Sequence, residues 1–379
     1  MCAASRTLAG LLVLAAAALL TAGAAGQSIE TSAGPVTAEI VASGLSHPWA
    51  LAFLPDGGLL VTERPGRLRI VRGGRAGEPI EGVPEVWANG QGGLLDVVLA
   101  PDFAQSGRLY LTFAEPGPGG AGTAVMAATL AIEDDTGHLT DQQVIFRMNR
   151  FTQRGQHFGS RIAIAPDGNL FVTLGERGEM DRAQDINDLA GGVVRIRPDG
   201  SIPSDNPFVG RDGADEFWSV GHRNPQGAAI RPSDGSLWTV EHAAMGGDEV
   251  NRPLKGLNYG WPVITYGRNY GGEKIGVGTE APGYEQPVHY WDPSIAPSGM
   301  AFYDGDLFPE WQGDLLVGAL KFELLVRLEL DGDKVVAEER LVAGAFGRIR
   351  DVRAGPDGAI YLVTDEDPGV VVRIAPSGQ

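Results

Sequence analysis

His157 and Glu176 bracket the stretch RGQHFGSRIAIAPDGNLFVTLGER, Arg154 to Arg177. Imidazole takes up a proton near neutral pH, and a carboxylate beside it fixes its tautomer and raises its basicity. The residues between them read as strand, PDG turn, strand. A histidine before the first strand and a glutamate after the second therefore return to the same end of one hairpin. The pair suits general-base chemistry; the plain alternative is a surface histidine in a glycine-rich loop. Lys321 closes GALK, and Arg348 and Arg350 flank one isoleucine, so in a strand they project to the same side. Arginine binds carboxylate or phosphate bidentately and lysine acts as a point charge, so the three form an anion-binding cluster unless they serve ordinary ion pairs. The loop EHAAMGGDEVN, Glu241 to Asn251, combines Asp248 and Glu249 with a Gly-Gly pair. Calcium uses bent, oxygen-rich segments of this kind, although acidic loops are common. Trp291 in HYWDPSIAPSG either caps a flat ligand by stacking or packs in a core.

The elements that must position these residues recur. Six segments share an apolar run, a Pro/Asp/Gly-type turn and a second apolar run; they begin at Trp49, Leu94, Ser160, Gly227, Ser298 and Arg350. Hairpins repeated at this spacing predict an all-β fold, a six-bladed β-propeller with four-stranded antiparallel blades. A pair of irregular β-sandwiches is the weaker alternative, and the period-2 pattern and high glycine content exclude helical solenoids. Residues just before the first strands and just after the second strands gather on one face. Before them stand Gln91, His157, Arg223, Asn224, Gln226, Arg348 and Arg350; after them stand Glu63, Glu115, Glu176, Glu241, Lys321 and Asp365. The other face collects the PDG turns, which are turn chemistry alone. The first face is the expected working face.

The net charge of −18 over 379 residues repels nucleic acid and anionic membrane, so any anionic ligand needs a local basic pocket. Residues 1–24 read as a cleaved export signal, with Arg6, the run LAGLLVLAAAALL and an Ala22-Gly23-Ala24 site. This places residues 25–379 in the periplasm or outside the cell as one propeller domain, with no membrane span in the mature form and a monomer as the default. The only cysteine, Cys2, lies in the signal. Neither a P-loop nor a GxSxG motif occurs, no GxGxxG sits in a βαβ context, and no zinc spacing is present.

Ten motifs in order, from GLSHPWALAFLPDG through GQGGLLDVVLAPDF, HFGSRIAIAPDG, GGVVRIRPDGSIPSDNPF, GHRNPQG, GGDEVN, NYGWP, APSGMAFY and GALK to RIRDVRAGPDG, span almost the whole mature chain. Together they resemble the soluble PQQ-dependent aldose sugar dehydrogenases, relatives of soluble quinoprotein glucose dehydrogenase. The resemblance implies a six-bladed propeller that oxidises an aldose at C1 to its lactone, with hydride passing to PQQ. It makes His157 the base, places Glu176 beside it and keeps Arg161 after HFGS at the catalytic centre. It assigns Gln91, Asn224, Lys321, Arg348 and Arg350 to the cofactor, with His157 and Arg223 beside them, and the cofactor is then the flat ligand that a stacking Trp291 would cover. It gives calcium to the backbone carbonyls of Ala243 and Ala244, with Asp248 and Glu249 in the same loop. The family pattern there is Gly-Pro followed by arginine, where this chain has Ala243-Ala244-Met245; the carbonyls survive, but no proline fixes φ. PQQ, Ca2+, a sugar and an electron acceptor of unspecified nature are thus the expected partners. A calcium-dependent propeller lactonase, a binding propeller and a sorbosone-type dehydrogenase stay open. The basic cluster argues against the first and the His157–Glu176 pair against the second.

Overall fold

Short runs of β-branched and aliphatic residues, broken by Asp-Gly turns, form antiparallel hairpins, and each hairpin recruits two further strands to bury its apolar surface. The structure, a computed structural model, describes residues 26–378. The expected export signal lies outside the described residues.

Six antiparallel sheets are present. Blade 1 consists of Pro48–Phe53, Leu59–Glu63, Arg67–Arg72 and Arg75–Ala76. Blade 2 consists of Leu94–Leu99, Arg108–Gly117, Gly120–Glu133 and Thr136–Arg147, and blade 3 of Ile162–Ile164, Leu170–Thr173, Gly192–Ile196 and Phe217–Val220. Blade 4 consists of Pro225–Ile230, Leu237–Glu241, Asp248–Asn251 and His289–Trp291, and blade 5 of Pro297–Phe302, Leu315–Ala319, Leu324–Asp331 and Lys334–Leu341. Blade 6 joins the chain ends: Ile349–Ala354, Ile360–Thr364 and Gly369–Pro376 are completed by Gly34–Leu45 and Gln27–Thr31. Each expected hairpin is the inner pair of a blade. The departure is the fifth strand of blade 6: Gly34–Leu45 pairs with the last strand and covers its edge, and Gln27–Thr31 pairs outside it.

The first strands of neighbouring blades pack side by side around the axis. Side-chain hydroxyls stitch them together. Thr62 Oγ1 donates to the Leu95 carbonyl at 2.6 Å, Thr112 Oγ1 to Ser160 at 2.7 Å, Thr173 Oγ1 to Pro225 at 3.0 Å and Ser298 Oγ to Ile349 at 2.7 Å. Separate apolar clusters fill the gaps between blades, for example Trp238, Trp291, Phe302, Leu315 and Val326 between blades 4 and 5.

Arg161 lies at the axis and is not part of a substrate site. Its guanidinium is buried, 3.1 Å from Asp96 and 3.0 Å from Asp351, and it donates to the Gln226 carbonyl at 2.8 Å and the Arg350 carbonyl at 3.2 Å. Trp49 stacks on it, with its ring centroid 4.1 Å away. Arg353 joins the same carboxylates from blade 6, at 2.9 Å to each. This corrects the expectation of a catalytic Arg161: the motif arginine ties the inner strands together. Removing one partner of such a buried network leaves carboxylates uncompensated. Arg161→Leu is therefore expected to cost about 3 kcal/mol or more and to lower the thermal midpoint by roughly 5 °C or more in differential scanning calorimetry. A midpoint unchanged within a degree would contradict this role.

Candidate active site

On the face where the first strands begin, the inner ends of the blades surround a cavity of about 260 Å3. Trp49, Leu95, Phe158 and Leu320 supply apolar walls; Gln91, Gln226, His242, Arg64, Arg348, Arg350 and Asp365 supply polar ones. A groove of about 330 Å3 adjoins it through His242 and Ala296 and carries Ala243, Ala244, Arg268, Tyr270 and Lys321.

His157 sits in the loop that leads into blade 3. Its φ of 55° and the 86° of Ser160 are left-handed conformations that non-glycine residues seldom hold, a form of strain that concentrates at functional sites. Surrounding groups impose it. The His157 N–H donates to Gln91 Oε1 at 2.8 Å, and the Gly159 N–H donates to Asn224 Oδ1 at 3.1 Å. Gly175, between the second strand and Glu176, must be glycine, because a Cβ there would lie 2.2 Å from the His157 carbonyl oxygen. The hairpin then delivers Glu176 Oε2 to 2.9 Å from His157 Nδ1, an ion-pair contact that lies off the line of a straight hydrogen bond. Both side chains are buried. Burial pushes the imidazole below the ordinary value near 6.5, and the nearby Arg223 and Arg177 push the same way against the pull of Glu176. Burial alone would raise the Glu176 carboxyl; His157, Arg223 and the Gly178 N–H outweigh it and hold it low. The pair is thus a neutral imidazole beside a carboxylate, the resting state of a base.

The cavity also gathers donors that no protein group satisfies. The Nε atoms of Arg64 and Arg350 in its wall, and the Nε of Arg223 and the Nδ2 of Asn224 behind the lining residues His242 and Gly159, are buried without a partner. Arg350 donates to Asp365 at 2.6 Å and to Gln226 at 2.9 Å, and Asp365 is also 3.7 Å from Arg64 and 3.0 Å from His47. Among the described residues Arg348 and Lys321 take part in no ion pair, and both are exposed at the mouth. In a chain of net charge −18, this local excess of cations and free donors fits a flat polyanion.

The Ala243-Ala244 loop is held without proline. The Ala243 N–H donates to Asp248 Oδ1 at 2.9 Å, while Asp248 Oδ2 accepts from Ser294 Oγ at 2.5 Å and from the Ala296 N–H at 2.8 Å. Met245 pairs with Arg268 in an antiparallel bridge. The Ala243 carbonyl already accepts from the Arg223 guanidinium. Glu249 accepts from Asn251 at 3.1 Å, and burial, with Glu241 close by, pushes its carboxyl up to about 8. Of the four expected metal residues, the structure brings Ala243 and Ala244 to the groove, commits Asp248 to loop support and holds the half-buried Glu249 against Asn251. Among the described residues no group of three or more His, Cys, Asp or Glu is placed to hold a metal.

Gln91 and Asn224 thus hold the His157 loop and Arg223 lies near its imidazole, while Arg348 and Arg350 line the cavity beside Gln91 and Lys321 lines the adjoining groove. Trp291 does not line either. It is buried, and its Nε1 donates to Glu338 at 2.9 Å, because the strand that carries it is the outermost of blade 4 and faces blade 5. Glu63 and Glu115, expected on the working face, form ion pairs with Arg67 and Arg147 instead. His242, Arg64 and Trp49 had no signal beyond their positions at strand ends. His242 Nε2 donates to the Pro297 carbonyl at 2.6 Å, and burial depresses this imidazole to about 3, so it is a neutral wall of the cavity. Ser219, His222 and Glu241 form a chain at 2.9 and 2.8 Å that resembles a hydrolytic triad. All three are buried, and Glu241 instead holds the Arg223 N–H at 2.6 Å.

Comparison with known proteins agrees with this geometry. The Glucose / Sorbosone dehydrogenase family matches residues 45–373. The aldose sugar dehydrogenase YliI of Escherichia coli K12 is 49% identical over 347 residues, covering 90% of this chain and 93% of the relative. The crystal structure of the soluble aldose sugar dehydrogenase of Escherichia coli in its apo-form superposes with a TM-score of 0.87, at 49% identity, over 90% of this chain and 99% of that one. The PQQ-bound aldose sugar dehydrogenase of Streptomyces coelicolor superposes with a TM-score of 0.74, at 29% identity, over 92% and 100%. The chain belongs to the Glucose / Sorbosone dehydrogenase family.

Proposed function

We propose that this chain is a PQQ-dependent sugar dehydrogenase that oxidises aldoses at C1 to lactones, with His157 as the general base. The observation that carries the reading is a cavity rich in cations and unsatisfied buried donors, walled by Gln91, Phe158 and Gly159, the immediate neighbours of an unprotonated His157. PQQ is a flat tricarboxylate. Arg348, Arg350 and Arg64 would hold its carboxylates, Asn224 and Gln91 its polar edge, and Trp49 and Phe158 the apolar walls. When bound, it supplies a two-electron acceptor for hydride.

The chain's own residues do the rest. Glu176 holds the imidazole oriented through Nδ1 and stabilises the charge that develops as the ring takes the hydroxyl proton. Buried walls exclude water, which strengthens the field of the arginines. Calcium is part of the proposal, with the carbonyls of Ala243 and Ala244 as its ligands from this chain. Two carbonyls are too few for calcium, so the remaining oxygens come from outside the chain. The Ala243 carbonyl now accepts from Arg223, and the guanidinium would have to give up that oxygen to a calcium ion, since the two cations repel. Asp248 then serves by shaping the loop. Export to the periplasm or beyond, from the expected signal, belongs to the same proposal; among the described residues no helix is long and apolar enough to cross a membrane. The substrate class covers glucose-type and sorbosone-type sugars, as the family description does.

Purified protein is expected to reduce an artificial electron acceptor with aldoses only after addition of PQQ and calcium. His157→Ala should lower kcat by about 100-fold or more while leaving PQQ binding in place. Activity without PQQ, or a fully active His157→Ala, would overturn the reading. The pH profile gives a second test. The base works unprotonated and its proton affinity is depressed, so kcat/KM should hold down to pH 6.5 and fall on an acid limb below it. An acid limb above 6.5 would assign the proton to another group.

A further inference from the structure

Among the described residues seven arginines are buried: Arg161, Arg177, Arg182, Arg195, Arg223, Arg327 and Arg350. Five of them have a carboxylate within 4.0 Å, as buried cations must if their desolvation is to be offset. The two without such a partner, Arg177 and Arg223, both flank the His157–Glu176 pair. Arg223 donates to the carbonyls of His242 and Ala243, which line the cavity and the groove. Arg177 touches neither cavity nor groove, so its charge needs another explanation.

The side chain of Arg177 is fully buried, and its guanidinium carbon lies 3.4 Å from the centre of the Phe158 ring. It donates to three carbonyls: Gln156, Arg154 at 2.7 Å and Ala121 at 3.5 Å. Two of these belong to the loop that carries His157, and the third to blade 2. The Arg177 N–H also reaches the His157 carbonyl at 3.3 Å. Its own φ of 62° is again left-handed. Three hydrogen bonds from one residue therefore fix the segment on which His157 is mounted, next to a Phe158 that lines the cavity, and a fourth ties it to blade 2.

We propose that Arg177 is a positioning residue for the reaction: it clamps the His157 loop through its backbone carbonyls and keeps an uncompensated positive charge behind the imidazole. The charge acts because the site is dry. The charged and titratable groups facing His157 are Glu176, Arg223, Arg177 and, across the cavity, His242. Those facing Arg177 are Arg182, Glu176 and Glu179. Arg182 is neutralised by Asp188 at 2.7 Å, and Glu179 is drawn toward Thr152, Arg150 and Arg154. Glu176 favours the protonated ring, while Arg177 and Arg223 oppose it, so the imidazole stays free to accept a proton. The cost of burying an unpaired guanidinium is a lowered proton affinity of its own, to about 9.

This inference rests on His157 as the base, and its test separates the two ideas. The His157 ring is titrated by NMR in the cofactor-free protein, assigned with His157→Ala, in the wild type and in Arg177→Gln. Gln removes the charge but can still donate to a loop carbonyl. The His157 midpoint should rise by roughly half a unit or more in Arg177→Gln, and the acid limb of kcat/KM in the loaded enzyme should move up with it. Arg177→Lys keeps the charge and loses the fork, so its midpoint should stay near that of the wild type while kcat falls with KM little changed. A midpoint and acid limb that do not move in Arg177→Gln would overturn the proposal. If Arg177→Gln fails to fold, a wild-type kcat in Arg177→Lys would overturn it. The titration is readable whether or not the protein proves to oxidise sugars.

Discussion

A single buried guanidinium, that of Arg161, lies across the axis where the inner strands of blades 1, 2, 4 and 6 meet the start of blade 3. Twisted four-stranded sheets leave a channel when they close into a ring, and a channel open at both ends has no floor on which to build a site. Arg161 with Asp96, Asp351 and Arg353 fills that channel with charge-balanced, hydrogen-bonded groups. Trp49, stacked on Arg161, presents its ring to the cavity. Everything above is then one-sided. The strand starts of all six blades converge over this floor, and the PDG turns are left to the other face.

With the floor in place, the site is a problem of buried charge. Arg350, Arg64 and Asp365 share one network, but the network has more donors than acceptors. Unsatisfied buried donors cost free energy, which a flat anion would return on binding. The same low dielectric controls the base. His157 is mounted in a left-handed conformation by Gln91, Asn224 and the close approach of Gly175, and two arginines without counterions surround it. Strain in the fold and tuning of the imidazole thus have a common origin in the crowded strand ends.

Much of this was legible in the sequence. Period-2 hairpins around PDG turns located the inner two strands of every blade, and strand polarity alone placed His157, Glu176, Arg348 and Arg350 at one end of the ring. What polarity does not tell is depth along the radius. Arg161 and His157 are four residues apart, yet one lies under the floor and the other above it. Trp291 stands in an aromatic-rich connection that looks exposed, but it is on an outer strand and fills the gap between blades 4 and 5. Asp248 and Glu249 look like ligands because carboxylates in loops often are, whereas their oxygens are already committed to the loop's own N–H and amide groups. His242 and Arg64 directly follow the second strands of blades 4 and 1, but nothing in their local sequence tells that they turn inward to the cavity. The N-terminal closure of blade 6 was hidden for a different reason: the strand Gly34–Leu45 pairs with residues more than 300 positions away.

If unpaired cations and orphaned donors make this cavity a receptor for a quinone polyanion, PQQ titrated calorimetrically into the purified protein binds saturably and one to one. Binding then weakens as rising salt screens the arginines, and weakens further in Arg348→Gln. No binding at low salt, or binding indifferent to both salt and Arg348→Gln, would show that the cavity is no such receptor.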